Sequence, residues 1–558
     1  MSGPAALAAI TLALAFAFGC SAEEGPPRCG SYEYGWSAMV PGPTETGHDA
    51  RLAALARKYD RQFHAITGKA TGLNADLAVP LAATELRAKI SAFLEAEDGF
   101  QFDGFPAELS GPLAPSWQKS AGLYSGAAAA ADAFRYGVFR DQGYPCEEIA
   151  IAREHLLADL ETLHVATAIT GVPGVIARSL ARTDYPGDGR TIETVPLFDA
   201  EGRALPLEKN NGTWRRDATG NYPSWQWEDS ISRDMLIGWA MAHAAVEEVT
   251  AGDPSIPADR IATLRADAAA IVRGLRTVRA AGYDLEIPDA DGRTTYHGYL
   301  NENAFERAYI PGIDNGFYAL MALGIVAGFN TMAKDPDLDR YLADELIGAR
   351  DLPAIAADDL VEVDLGVASN FSNYNMAFTG VWLALRYIRD DVALGKLRVS
   401  LEKELYNAPG RERQPAEMGQ SFFDFVYAAE KAGSHPGVAT TRTVDAGAVA
   451  RGLATLAEFP EPPSWEVGRT NCDEQEVMSG MCTLTDGTVV ELLRDSGRGG
   501  NLVSRQPIPM RARPPSNYHW RSNPYSVNGE SDGSRLLPGG DFRAAYWLGR
   551  WVRTADPR

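Results

Sequence analysis

The sequence predicts an all-α protein, an α/α toroid of about six helical hairpins with long loops and a mostly irregular C-terminal tail. Three observations carry that expectation. Apolar residues recur at three- and four-residue steps through most of the chain, as in Ile261, Leu264, Ala268, Ile271, Leu275 and Val278. Helices rich in Gly, Ala, Tyr and Trp alternate with helices charged on one face. No convincing run of alternating strand residues interrupts them. Small apolar helices packed all round, alternating with amphipathic ones, suit an inner ring and a water-facing outer ring. A superhelical solenoid is the alternative, and the absence of a fixed sequence period weighs against it.

The chain has 558 residues, 45% hydrophobic and 23% charged, which is globular composition. Residues 1–20 read as a lipoprotein-type signal peptide. Leu7 to Phe18 form an apolar run too short to span a bilayer, and Gly19-Cys20 follows as in a lipobox, marking Cys20 for lipidation. Ala17 stands where Leu is usual, and Met1-Ser-Gly-Pro4 lacks Lys or Arg. Residues 21–49 form a tether and N-terminal extension. Cys29, Cys146, Cys472 and Cys482 then remain, an even set suited to disulfides in an oxidising compartment. Three pairings are open; Cys472–Cys482 would close a small loop, and Cys29–Cys146 would pin the N-terminus to a helix start.

Residues 50–459 hold the helical pairs: 50–66 and 83–96, 117–137 and 147–168, 231–249 and 257–280, 314–329 and 333–348, 372–389 and 391–405, 418–431 and 445–458. Short hairpins are expected near 190–217 and 483–505. No segment after the N-terminus has the ~18 consecutive apolar residues of a membrane span. Pro460, Pro462 and Pro463 open the C-terminal segment 460–558, whose aromatic stretch Arg511–Tyr525 predicts packing back onto the helices.

Chemistry-bearing residues concentrate in Trp225-Gln-Trp-Glu-Asp-Ser-Ile-Ser-Arg-Asp-Met-Leu-Ile-Gly238. Glu228, Asp229 and Asp234 could supply a general acid and a general base, with Arg233 setting their pKa values apart. The same residues also fit a helix cap at Asp229 or Ser230 and an Asp229–Arg233 helical ion pair. Trp214, Trp225 and Trp227 offer broad faces for sugar rings, or filling for a long loop. His297 and Tyr296 suit proton transfer beside a uronic carboxylate, with Asn301 near them. Asp314, Asn370, Asn373 and Tyr374 precede or open inner-type helices and could bond sugar hydroxyls, though the group at Asn370–Tyr374 could equally just cap its helix. Asp289-Ala-Asp-Gly292 begins like a calcium loop but has Arg293 and Leu300 where ligands are needed, so no metal is expected. Asp358-Asp-Leu-Val-Glu362 reads as a surface turn. HExxH, GxSxG, GxGxxG and P-loop patterns are absent, and no cofactor is expected.

Gly171-Val-Pro-Gly-Val-Ile-Ala-Arg178, Trp227 to Asp234 ahead of Gly238, and Asp289 to Gly298 recur in that order in exported bacterial proteins. On these motifs the chain resembles six-hairpin α/α-toroid lipoproteins, mostly uncharacterised, that look like carbohydrate-active enzymes. The resemblance implies the toroid over most of the mature chain and a glycan as partner. The function it suggests is glycoside hydrolase-like cleavage, with polysaccharide lyase-like elimination or non-catalytic glycan or protein binding as alternatives. A net charge of −22 argues against nucleic acid, so membrane contact is expected only through the lipid anchor, in the periplasm or at the outer membrane of a bacterial envelope.

Overall fold

The computed structural model describes residue 29 and residues 37–69, 72–96, 116–117, 120–183, 192–310, 312–363, 365–432, 444–467, 472, 474–484, 487–494, 502–513, 523–528 and 532–553. The expected signal peptide, the lipidation site Cys20 and most of the tether lie outside the described residues.

The fold is mostly helical, with small antiparallel sheets in the connections. The helices are α1 (Ala50–Gln62), α2 (Thr84–Glu95), α3 (Gly122–Asp141), α4 (Cys146–Ala168), α5 (Arg233–Thr250), α6 (Ala258–Arg276), α7 (Gly316–Ala333) and α8 (Pro336–Arg340). They continue with α9 (Leu352–Asp358), α10 (Phe371–Tyr387), α11 (Asp391–Val399), α12 (Ser421–Ala432), α13 (Ala446–Ala457), α14 (Glu474–Ser479) and α15 (Gly540–Trp551). Every one of the helical segments expected from periodicity has a counterpart. Three of the expected helices end in wider π-helical turns, at Phe63–Thr67, Tyr341–Ala349 and Ser400–Tyr406.

Packing follows composition. α3 packs on α5, α5 on α7, α7 on α10, α10 on α12, α12 on α15, and α15 returns to α3. The remaining helices flank these: α4 against α3, α6 against α7, α9 against α7, α11 against α10, α13 against α12 and α1 against α15. α3, α5 and α7 are buried almost throughout their length, which requires side chains small enough for backbones to meet. A Cβ on Gly126 of α3 would lie 1.9 Å from the Gly238 carbonyl oxygen of α5. Likewise a Cβ on Gly324 of α7 would lie 2.5 Å from the Gly380 carbonyl of α10. The room at Gly238 is therefore filled by a neighbouring helix. α7 is also long and apolar enough to cross a membrane, with a mean hydropathy of 1.5. That window is 94% buried inside the protein, so here it serves as a core helix.

Two parts of the expectation change. The first pair is not equivalent to the others, because α2 packs into a separate small core of Leu77, Val79, Leu86, Ile90, Leu94 and Leu536. The tail contributes a regular helix, α15, whose buried face includes Phe542, Trp547 and Leu548. Arg543 and Trp547 of that helix bond Asp60 of α1.

The connections contain more strand than expected. Strands Ser120–Ala121, Ser179–Arg182, Trp225–Glu228 and Trp214–Arg216 form one antiparallel sheet in that order. Glu286–Pro288 and Thr294–Tyr299 form a hairpin over a turn closed by Gly292 at φ 81°. Of the expected hairpin regions, 190–217 holds the antiparallel bridge Phe198–Ala204 and the strand Trp214–Arg216, and 483–505 falls in the sheet of Met481–Thr483, Val489–Arg494 and Leu502–Ser504. Both disulfides form, Cys29–Cys146 and Cys472–Cys482. Two such bridges fit an oxidising environment.

Candidate functional site

The strand Trp225–Glu228 delivers the chain to the start of α5 through a sharp bend at Ser230, whose φ is 55°. A non-glycine residue in this region costs of order 1 kcal/mol or more. It is held there from both sides: the Ser230 N–H donates to Asp289 Oδ2 at 2.9 Å, and its Oγ accepts from the Tyr296 N–H at 3.0 Å. The bend starts the helix at Arg233, so Asp229 is outside it. The Asp229–Arg233 helical pair therefore does not form, and the position before the helix belongs to Ser232.

Asp229 is buried and spoken for. Its carboxylate accepts from the Thr213 N–H at 2.8 Å and from Arg215 Nε at 2.9 Å. With Asp289 and Asp291 it forms a group whose oxygens lie within 4.8 Å of one another, close enough for a metal. Lys209 Nζ already sits among them, bonded to Asp289, 3.1 Å from Asp291 and 3.8 Å from Asp229. An ammonium thus supplies the positive charge that a cation would bring. Burial, then the neighbouring Asp229 charge, pushes the Asp289 carboxyl above its usual range.

The cavity lies on the other side of the bend. It encloses about 670 Å³, within the range of small-molecule sites. Asp234 and Arg233 from the first turn of α5 line it, together with His297 from the hairpin strand and Asn370 and Asn373 from the start of α10. These five sequence candidates are brought together. Arg178, Glu362 and Arg413 join them from separate connections, and Phe305 and Glu306 together from another.

A directed chain of hydrogen bonds holds Asp234. Arg178 Nη1 donates to Ser232 Oγ at 2.8 Å, and the Ser232 hydroxyl donates to Asp234 Oδ1. One Asp234 oxygen is thereby fixed, and the other has no hydrogen-bond partner among the described residues. Glu362 stands in a different setting. Its Oε1 accepts from Asn315 Nδ2 at 2.8 Å, while its buried Oε2 has no hydrogen-bond partner among the described residues. Burial raises the Glu362 carboxyl above its ordinary range, outweighing the opposing bond from Asn315. His297 is lowered from its usual value, first by burial and then by the Arg233 charge, which favours neutral imidazole. Arg233 lies over the Tyr318 ring at 4.5 Å, and its nearest carboxylate among the described residues is Glu306 at 3.8 Å.

The other candidates do not line the cavity. Trp227 is a fully buried sheet residue whose indole N–H donates to the Arg216 carbonyl. Trp225 lies under the Arg182 guanidinium, and Trp214 pairs across the sheet with Glu228. Glu228 is buried 3.9 Å from Arg178. Asn301 bonds Asp284, Tyr374 donates to the Val363 carbonyl, and Arg307 covers Tyr296. Asp314 is exposed. The aromatic face at the cavity is instead Phe305, 46% exposed. The reading of Asp358–Glu362 as a plain surface turn is corrected for Glu362, whose backbone carbonyl is held by Asn373 Nδ2 at 3.0 Å.

No family model matches the sequence, and no curated protein is significantly similar to it.

Proposed function

We propose that this chain is an α/α toroid that cleaves a glycan by hydrolysis in the cavity at the start of α5. It would be exported and anchored to a bacterial envelope membrane through lipidated Cys20. The observation that carries the reaction is the pair of unlike carboxylates in one cavity. Glu362 is biased toward its acid form by burial, and Asp234 is held as an acceptor by Ser232 and flanked by Arg233. The toroid draws support from the succession of small-residue helices that returns from α15 to α3.

In the reaction, Glu362 donates its proton to the glycosidic oxygen as the bond from the anomeric carbon breaks. Asp234 takes a proton from the water whose oxygen bonds to that carbon. The leaving sugar gains a hydroxyl, the other gains the water oxygen, and proton exchange with solvent restores both carboxyls. Phe305 offers an exposed ring on which sugar C–H groups can stack, and Asn370 and Asn373 offer amides to hydroxyls.

A second reading, elimination beside a uronic carboxylate, is favoured by the neutral bias of His297 next to Arg233. Incubating the purified protein with neutral and acidic polysaccharides, and following reducing ends and ultraviolet absorbance together, separates the two. Hydrolysis gives new reducing ends without an absorbing unsaturated product. If Glu362→Gln and Asp234→Asn both left that activity unchanged, the assignment would be wrong.

A further inference from the structure

Three arginines line the cavity, Arg178, Arg233 and Arg413. Asp234, Glu306 and Glu362 share that lining, yet among the described residues no carboxylate comes closer than 3.8 Å to any of the three guanidiniums. Arg413 is 5% exposed, its guanidinium 4.0 Å from the Tyr525 ring centre, and it has neither hydrogen bond nor ion pair among the described residues. Arg233 is 9% exposed and has a buried Nη1 without a partner among those residues. Its sole ion pair among them is the 3.8 Å contact with Glu306, whose side chain is 59% exposed. Arg178 spends its closest bond on the Ser232 hydroxyl and stands 3.9 Å from Glu228. Several buried arginines elsewhere are closely paired with carboxylates, as Arg386 with Glu248 at 2.8 Å and Arg543 with Asp60 at 2.7 Å. Buried charge without a counter-ion is expensive, and a planar guanidinium matches carboxylate or sulfate oxygens.

We infer that the cavity takes an anionic glycan and that Arg233 and Arg413 receive a carboxylate or sulfate group of the bound sugar. This rests on reading the cavity as a glycan site, and it names the substrate class of that site. The anionic group would give the two arginines the close counter-ion that no described residue provides, which makes them specificity-determining residues.

Calorimetric binding to Glu362→Gln, and in parallel to Asp234→Asn, tests this without turnover. The probes are a galacturonate tetramer, the same tetramer with its carboxylates methyl-esterified, and a sulfated chondroitin tetrasaccharide. At least one anionic probe should bind about tenfold or more tighter than the neutral ester, as expected for charge-assisted hydrogen bonds. The stronger of the two identifies the group recognised. Arg233→Gln or Arg413→Gln should abolish most of that preference while the neutral ester binds as before. If neither the galacturonate tetramer nor the sulfated tetrasaccharide binds more tightly than the neutral ester, the inference is overturned. Anionic preference without cleavage of any probe by the wild-type protein would uphold it and count against hydrolysis. Cleavage of neutral glycans alone would uphold hydrolysis and overturn the inference.

Discussion

A buried carboxyl group favours its acid form, and Glu362 is buried with one oxygen unbonded among the described residues. As a proton donor it works while protonated, so kcat/KM should fall as pH rises through its raised pKa. A pH–rate profile of wild-type protein should therefore keep its activity above the ordinary carboxylate range before declining, and Glu362→Gln should remove that limb along with most turnover. Asp229 and Asp234 stand only five residues apart and should part company when mutated. Asp234→Asn should lower turnover by about a hundredfold or more with little change in melting temperature. Asp229→Asn should chiefly destabilise, by about 1–3 kcal/mol, because it weakens bonds to Arg215 and Thr213 that are already complete. Residue types alone made these two aspartates look alike. The difference arises from Ser230, whose left-handed backbone turns Asp229 toward the sheet and Asp234 toward the cavity, and nothing in a serine's identity announces that conformation.

Helices were the legible elements, because a 3.6-residue period survives in any sequence that buries one face. Gly126 and Gly238 sit where α3 and α5 cross, and a methyl group at Gly126 would overlap the Gly238 carbonyl. Gly126→Ala should therefore cost about 2–4 kcal/mol or prevent folding, read as a loss in thermal or urea midpoint. Gly395 lies within α11, and a Cβ added there would meet nothing within 4 Å, so Gly395→Ala should stabilise by about 1 kcal/mol. Short strands were less legible. Trp225–Glu228 and Thr294–Tyr299 are dense in polar and aromatic residues, a composition shared by binding loops, and Trp225–Glu228 pairs with a strand more than forty residues earlier in the chain. That is why Trp225 and Trp227 resembled a sugar platform and turned out to build the sheet that aims Asp234. Arg413 carried no local signal and Glu362 only an acidic run that reads as a surface turn, since tertiary packing alone brings them to the start of α5.

At the scale of the whole molecule, helices from both ends of the described chain meet where α15 packs on α1 and α3. The periodic segments made the helical class legible, whereas α15 was masked by its setting in a proline- and arginine-rich tail. Buried acids should make the stability of this assembly pH-dependent. Glu430 on α12 is raised to about 7 from 4.5 by burial, with Arg398 at 3.9 Å acting in the opposite direction. Between those values the folded protein keeps a proton that the unfolded chain has released. Stability contributed by Glu430 is thus full below about pH 4.5 and is lost as pH rises through 7. Melting temperature should fall across that window, and Glu430→Gln should flatten the slope. The central claim, that Glu362 is the acid of a glycan-cleaving site, meets its most direct test in leaving-group dependence. Glu362→Gln should be compared with wild type on an oligosaccharide and on an aryl glycoside of the same sugar whose leaving group needs no protonation. The variant should retain substantial activity on the aryl glycoside while losing it on the oligosaccharide. Equal loss, or equal retention, on the two substrates would contradict the assignment.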